Sequence, residues 1–157
     1  MIENVIINKD YTVCVSGHRE VERNFDKEKL KGIFIKLIEG GVDTFLVGMA
    51  VGFDTICFQI LEELKSEFNI RIIACIPCIT QSYKFNILQK KEYERMLSVS
   101  DEKVYVSKEY TPYCMFKRNK FMVDNSTVLV CYLRKSSGGT YNTYNYAKKI
   151  DRTMILV

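Results

Sequence analysis

Apolar runs alternate along this chain with segments whose apolar residues recur at helical spacing. Residues 11–16, Arg71–Ile76 and 126–133 form runs with few charged side chains. Between the first two runs, residues 53–68 carry an apolar stripe spaced three or four positions apart, which indicates an amphipathic helix. Strands that are apolar throughout indicate a sheet that is covered on both faces.

Six such strands alternate with five helices, as in right-handed βαβ units. The predicted fold class is therefore α/β, a doubly wound, mostly parallel sheet sandwiched by helices, in one domain spanning residues 1–157. Asp26 is predicted to cap the first helix and Gly40-Gly41 to end it. The predicted strands are 11–16, 42–47, 71–76, 103–106, 126–133 and 153–157, and the predicted helices are 26–40, 53–68, 82–98, 115–124 and 140–149.

Three of the predicted strands end in turns of small residues, at positions 16–19, 48–54 and 136–140. Each turn precedes a plausible helix. The carboxyl ends of parallel strands meet at one edge of the sheet, and ligands bind there near the switch in strand order. Backbone N–H groups and the dipole at a helix start favour an anion. We therefore expect the three turns to surround one anionic ligand.

The first turn, Ser16-Gly17-His18-Arg19, supplies candidate residues for recognition of the ligand. Gly17 permits a close approach of the backbone, and the Arg19 guanidinium matches the geometry of a phosphate or carboxylate. His18 is the only histidine of the chain, and its position favours a ligand contact over core packing. A solvated loop without a ligand is the alternative for this tetrapeptide.

The second turn is predicted to form another wall of the site. Gly48, Ala50 and Gly52 permit a tight passage of the chain before a helix start. Asp54 either caps that helix or contacts the ligand. The spacing is not GxGxxG, and no acidic residue is evident about 20 positions on, so the turn is not a dinucleotide fingerprint.

The third turn is the most specific of the three. Gly138-Gly139-Thr140 places two glycines and a hydroxyl at a helix N-terminus, which is typical of an anion nest. We expect this turn to hold the phosphate. A flexible glycine loop is the alternative.

A polar segment at 118–124 adds further candidates, although an exposed basic helix face is the usual interpretation of such a run. Arg118 and Asn119 lie a turn before the apolar end of the segment and are predicted to face the cleft. The complete set of predicted ligand-binding residues is Ser16, Gly17, His18, Arg19, Gly48, Ala50, Gly52, Asp54, Arg118, Asn119, Asp124, Gly138, Gly139 and Thr140.

Composition narrows the classes of function. The net charge of +4 and the pI of about 8.7 permit an anionic ligand, but a dedicated nucleic-acid domain is expected to have a pI above about 9. No apolar stretch approaches the roughly 20 residues of a membrane span, and residues 1–10 lack the build of a signal peptide. We therefore expect a cytoplasmic protein with no membrane partner.

Cysteine and histidine usage predicts neither a metal nor a cofactor. The chain has six cysteines and one histidine, and Cys75-Ile-Pro-Cys78 is its only CxxC. A closed zinc site needs four ligands, usually from two such pairs. A redox role for this CxxC is the alternative to the simpler interpretation, in which Pro77 marks the end of a strand.

Five segments of the chain, in consistent order from Cys14 to Ala147, resemble the SLOG superfamily, and the closest match is its YpsA-like bacterial branch. The superfamily also groups the cytokinin-activating LOG proteins and the SMF/DprA DNA-processing proteins. The resemblance implies a Rossmann-like fold that binds a nucleotide or nucleotide-derived ligand at the glycine turns. The segments are Cys14-Val15-Ser16-Gly17-His18-Arg19, Gly48-Met49-Ala50-Val51-Gly52-Phe53-Asp54, Tyr110-Thr111 with Cys114-Met115, Arg118-Asn119-Lys120-Phe121-Met122-Val123-Asp124, and Ser137-Gly138-Gly139-Thr140.

The chain departs from the LOG-type phosphoribohydrolases of this superfamily. Those enzymes carry a longer Pro-Gly-Gly-x-Gly-Thr motif followed by a glutamate on the helix. Here the leading proline is missing, and no carboxylate follows Thr140 until Asp151. Cleavage of an N-glycosidic bond needs a carboxylate in reach of the proton or water it handles, and Asp54 and Asp124 are the remaining candidates.

Three functions stay open, in this order. The first is a sensor or regulatory domain for a small nucleotide-like phosphate ligand. The second is a LOG-like nucleoside 5'-monophosphate phosphoribohydrolase. The third is single-stranded DNA binding, as in the DprA branch, so a nucleic-acid partner ranks behind a small ligand. The oligomeric state, including a homo-oligomer, is left open. The basic patch that would carry DNA binding is Lys117, Arg118, Lys120, Arg134 and Lys135.

Overall fold

The structure is a computed structural model, and it describes residues 5–157. Residues 1–4 lie outside the described residues. They are part of the predicted domain and of the segment 1–10 that was predicted to lack a signal peptide. After a short 3-10 turn at Lys9–Tyr11, strands and helices alternate. They are β1 Thr12–Gly17, α1 Lys27–Glu39, β2 Thr44–Val47, α2 Phe53–Leu64, β3 Arg71–Ile76, α3 Ile87–Val99, β4 Glu102–Tyr105, α4 Cys114–Asp124, β5 Val128–Tyr132, α5 Gly139–Lys149 and β6 Thr153–Leu156.

The six strands form one sheet in the order β4-β3-β2-β1-β5-β6, and every neighbouring pair is parallel. From β1 the chain builds outward through β2, β3 and β4, and it then returns to place β5 on the other side of β1. The strand order therefore reverses between β1 and β5. This confirms the predicted doubly wound, Rossmann-like α/β fold, and the sheet is wholly parallel within residues 5–157.

Successive strand residues point to opposite faces of the sheet, and each face packs against its own helices. Val13 and Val15 of β1 lie in the core layer that contains residues of α1, α2 and α3. Cys14 lies in the opposite layer, with Met122 of α4 and Ala147 of α5. Both faces of the central strands are buried, which explains why their sequences are apolar throughout.

The helix ends follow the expected capping chemistry. The Asp26 carboxylate accepts a hydrogen bond from the Lys29 amide at 2.9 Å, which confirms it as the N-cap of α1. α3 begins at Ile87 rather than near Ser82, because Asn86 and Gln89 form a reciprocal capping box that sets its start. No helix within the described range has the length and apolar character of a membrane span.

Candidate ligand-binding site

A cavity of about 340 Å³ opens at the carboxyl edge of the sheet, above the point where the strand order reverses. Its volume lies within the range of roughly 300–1,000 Å³ that is typical of small-molecule sites. All three predicted turns contribute to its walls. Eleven of the fourteen predicted residues line it, namely Ser16, Gly17, His18, Arg19, Ala50, Asp54, Arg118, Asn119, Gly138, Gly139 and Thr140.

The first and second turns pack against each other so closely that glycine is required on both sides. The Phe53 amide donates a hydrogen bond to the His18 carbonyl at 3.1 Å. A Cβ atom on Gly17 would lie 2.4 Å from the Phe53 ring. Gly52 has a φ of +86°, and a Cβ there would lie 2.2 Å from the Arg19 carbonyl oxygen. The second turn therefore holds the first turn in place.

The first and third turns are joined through the imidazole of His18. Its Nε2 atom accepts a hydrogen bond from the Arg134 amide at 2.8 Å, just before the third turn. Because Nε2 accepts, the ring proton of the neutral imidazole is on Nδ1. Burial and the nearby charges of Lys135 and Arg134 lower the pKa of His18. The half-buried ring also packs edge-on against Tyr132.

This arrangement predicts a neutral His18 with a defined tautomer. Since it is the only histidine of the chain, its ring resonances in an NMR spectrum are assigned without mutagenesis. We expect long-range ¹H–¹⁵N spectra to show the Nδ1–H tautomer and a titration midpoint below 6.5. A midpoint at or above that value, or the Nε2–H tautomer, would contradict the described link between the two turns.

The third turn presents an open helix N-terminus to the cavity. Gly138, with a φ of +94°, is the N-cap of α5, and no side chain caps the first turn of this helix. The first amides of a helix lack intrahelical partners, so they remain free for a ligand. A Cβ atom on Gly139 would meet no heavy atom within 4 Å, which shows how open the turn is.

The second turn, in contrast, has fewer free backbone N–H donors for an anion than the sequence indicates. The Ala50 amide donates to the Asp54 carboxylate at 3.1 Å, and the Phe53 amide is bonded to His18. The protein itself uses these donors. The open amides of the third turn, together with the exposed side chains of Arg19 and Lys135, are therefore the better anion site.

Two buried charges form the floor of the cavity. Asp54 and Arg118 each expose 5% of their surface and line the cavity from α2 and α4. Arg118 donates through Nη1 to the Gly48 and Cys75 carbonyls and through Nε to Asn119 Oδ1, the last at 2.7 Å. Burial raises the pKa of Asp54 to about 6, although the nearby Arg118 charge opposes that increase.

Three predicted residues do not line the cavity. Gly48 lies beneath it, where a Cβ would be 2.8 Å from the Arg118 guanidinium, so glycine is needed to seat that side chain. Gly52 packs against the backbone of Arg19 in the first turn. Asp124 lies at the far end of α4, about 9 Å along the helix axis from Arg118. Its carboxylate accepts hydrogen bonds from Tyr146 and Lys120.

Several lining residues were not among the predicted ones. Gln81, in the loop after β3, donates to the Gly48 carbonyl at 2.9 Å and accepts from the Tyr93 hydroxyl at 3.0 Å. Phe85 adds an aromatic wall. The loop after β3 begins at the same sheet edge as the three turns. Both residues could have been predicted as site residues from this position in the topology.

The two cysteines of the CxxC segment make contacts with different partners. Cys75 is buried within β3, and its thiol donates to the Ile73 carbonyl. The Cys78 sulfur instead lies 4.0 Å from the sulfur of Cys114, at the start of α4. Both remain free thiols. Within residues 5–157 no group of three or more His, Cys, Asp or Glu side chains could hold a metal ion.

The predicted basic patch is divided by the fold. Arg118 is buried, Lys120 forms an ion pair with Asp124, and Arg134 forms one with Glu22. Only Lys117 and Lys135 of the five remain as exposed cations without an ion pair within the described residues.

Comparison with known families identifies the family of this chain. Residues 8–154 match the family model of the YspA SLOG family. The chain therefore belongs to that family, as the sequence motifs indicated. It is 34% identical over 139 residues to the uncharacterized SPbeta prophage-derived protein YoqJ of Bacillus subtilis (strain 168), covering 78% of this chain and 80% of that protein. It is 24% identical over 150 residues to UPF0398 protein lin2003 of Listeria innocua serovar 6a, covering 87% and 83%.

Solved structures of DNA processing protein A share the fold. The protein from Streptococcus pneumoniae matches with a TM-score of 0.65 at 14% identity, over 92% of this chain and 49% of its own. The protein from Helicobacter pylori, described for its single-stranded DNA binding mode, matches with a TM-score of 0.67 at 15% identity, over 92% and 64%. This chain thus spans about half to two thirds of those proteins.

Proposed function

We propose that this protein binds a nucleotide or nucleotide-derived phosphate ligand in the cavity at the strand-order switch, as a sensor or regulatory domain. The observation that carries the proposal is that three separate turns, after β1, β2 and β5, line one cavity of suitable volume. Membership of the SLOG family and the open N-terminus of α5 support it.

The charges of the cavity support an anionic ligand. Arg19 and Lys135 are exposed at its edge, and neither forms an ion pair within residues 5–157. Arg118 lies at the floor. The Asp54 carboxylate, which lines the same cavity, is buried. A phosphate at the third turn would therefore meet free amides and two cationic side chains.

The test is titration with inorganic phosphate and a panel of nucleoside mono- and diphosphates, followed by thermal unfolding and calorimetry. A bound ligand at 100 times its Kd adds about 2.7 kcal/mol of stability, which raises the Tm by several degrees in a chain of this size. If no member of the panel raises the Tm at millimolar concentration, the proposal fails.

Two exposed cations provide a sharper test of the site. The double variant R19Q/K135Q should weaken binding of the best phosphate ligand about tenfold or more, because charge-assisted hydrogen bonds are lost. The matched control R23Q/K149Q removes the same net charge at exposed positions outside the cavity. It should change the affinity less than threefold. Equal losses in both variants would indicate a general electrostatic effect and would contradict this site.

A phosphoribohydrolase is the second candidate function, and Asp54 is the observation that favours it. Asp54 is the only Asp or Glu among the described residues that line the cavity, and its pKa is raised to about 6, close to the range in which a general acid or base works. The enzyme hypothesis predicts release of free base from a nucleoside monophosphate, lost in D54N. Prolonged incubation without released base would leave the binding function alone.

Single-stranded DNA binding is the third candidate, and the fold shared with the Helicobacter pylori protein favours it. It predicts binding that weakens steeply with salt, since phosphate contacts release counterions. The divided basic patch counts against it. A small ligand that competes with an oligonucleotide would place both in the same cavity, whereas undetectable oligonucleotide binding at low salt would remove this candidate.

A further inference from the structure

One oxygen of the Asp54 carboxylate has no partner in the protein. Asp54 Oδ2 accepts the Ala50 amide at 3.1 Å, but Oδ1 is buried without any hydrogen-bond partner. Leaving a buried charged oxygen unpaired is costly, and nearly all such groups in native proteins are satisfied. Because Asp54 also lines the cavity, a ligand group can supply the missing partner once the carboxylate turns toward it.

A matching donor lies at the same floor. Arg118 uses Nε and Nη1 for hydrogen bonds to protein oxygens, whereas the contact of Nη2 is the sulfur of Met115 at 4.0 Å, a weak acceptor. A Cβ atom on Gly48 would lie 2.8 Å from the guanidinium carbon and 3.0 Å from Asp54 Oδ2. The Asp54 carboxylate and the Arg118 guanidinium, each with unused hydrogen-bonding capacity, therefore both lie within about 3 Å of one point beside Gly48.

Few chemical groups can form hydrogen bonds with both the Asp54 carboxylate and the Arg118 guanidinium. A phosphate would pair with Arg118 but face the Asp54 carboxylate, and an ammonium would pair with Asp54 but face Arg118. A hydroxyl group both donates and accepts, and it carries no charge. The Asp54 carboxylate can turn toward it, because the terminal torsion of aspartate is broad.

We propose that Asp54 and Arg118 bind a sugar hydroxyl of the ligand, an inference that rests on the proposed function. The site then selects a sugar phosphate whose sugar carries a free hydroxyl. The phosphate occupies the third turn and the sugar lies over the floor. A second pocket of about 230 Å³ adjoins the cavity through Val51 and Phe85, and it is lined mainly by apolar side chains such as Met49, Ile56 and Met96. This pocket offers room for an aromatic base, which makes nucleoside monophosphates the appropriate probes.

The test compares the four ribonucleoside 5'-monophosphates with their 2',3'-dideoxy counterparts and with inorganic phosphate, by calorimetry at pH 8. The wild type should bind at least one ribonucleotide about tenfold or more tightly than its dideoxy form. In D54N the single amide oxygen stays with Ala50 and an NH₂ group replaces the acceptor. The ratio of the ribo to the dideoxy affinity should fall below threefold, because the ligand hydroxyl has lost its acceptor.

The control is D26N, which exchanges one helix cap for an equally good one outside the cavity and should keep the tenfold ratio. Equal affinities of ribo and dideoxy forms for the wild type, or a tenfold ratio that survives in D54N, would overturn the hydroxyl assignment and leave anion binding intact. If neither nucleotides nor phosphate bind at all, the proposed function itself fails.

Discussion

Replacing Asp54 with asparagine is expected to make the ligand-free protein more stable. Burial raises the pKa of Asp54 to about 6, so the folded protein keeps its proton at pH values where the unfolded chain has lost it. Stability due to this group therefore declines between about pH 4 and 6 and stays lowered at higher pH. The increase in pKa corresponds to about 2–3 kcal/mol. For a chain of this size, the Tm of D54N should exceed that of the wild type by about 4–12 °C at pH 8.

The difference between the two proteins should vanish below about pH 4, where Asp54 is protonated in both the folded and unfolded states. Thermal unfolding of D54N, D26N and wild type from about pH 3 to 8 measures this directly. D26N should follow the wild type at every pH. A D54N variant that is less stable than wild type at pH 8 would show that the ionised carboxylate stabilises the fold through Arg118, contrary to this prediction.

Replacing Gly52 with alanine is expected to destabilise the protein by about 2–6 kcal/mol. The φ of +86° is strained for alanine, at a cost of about 1–3 kcal/mol. The added Cβ would also lie 2.2 Å from the Arg19 carbonyl oxygen, and relief of that overlap requires the first two turns to separate, at a further cost of about 1–3 kcal/mol. Denaturant unfolding measures the loss.

Gly138 provides the matched control for Gly52. Its φ is +94°, but a Cβ there would meet no heavy atom within 4 Å. G138A therefore experiences the backbone strain without the overlap and should lose only about 1–3 kcal/mol. If G52A and G138A are equally destabilised, the close packing of the first two turns does not contribute to stability as described.

The fold was predictable because its signals are local and repeated. Arg71–Ile76 was predicted with its observed bounds, since a continuous apolar run between polar residues is unambiguous. The second strand starts at Thr44 rather than Val42, because the Val42 amide still bonds to Leu37 at the end of α1. The start of α3 at Ile87 was missed although Asn86 and Gln89 have the spacing of a capping box.

The position of the candidate site was predictable, but its internal chemistry was not. Strand ends in a parallel sheet must meet at one edge, which brings the three turns together. The electrostatic interaction between Asp54 and Arg118 joins α2 and α4 across the sheet edge, and no local pattern indicates it. Asp124 was included because it shares a segment with Arg118, but at 1.5 Å per residue a helix carries it out of reach.

The cavity lined by the three turns is expected to hold one phosphate-bearing ligand, with the third and first turns in contact with it. The most direct measurement is a titration of the ¹⁵N-labelled protein with the best-binding nucleotide, followed by amide chemical shifts. We predict that the largest shifts occur at Gly139 and Thr140 of the third turn, together with His18 and Arg19 of the first, and that all four saturate at one Kd. Saturating shifts confined to the outer faces of α3 and α4, or a ligand-saturated spectrum in which the third turn does not change, would contradict the account.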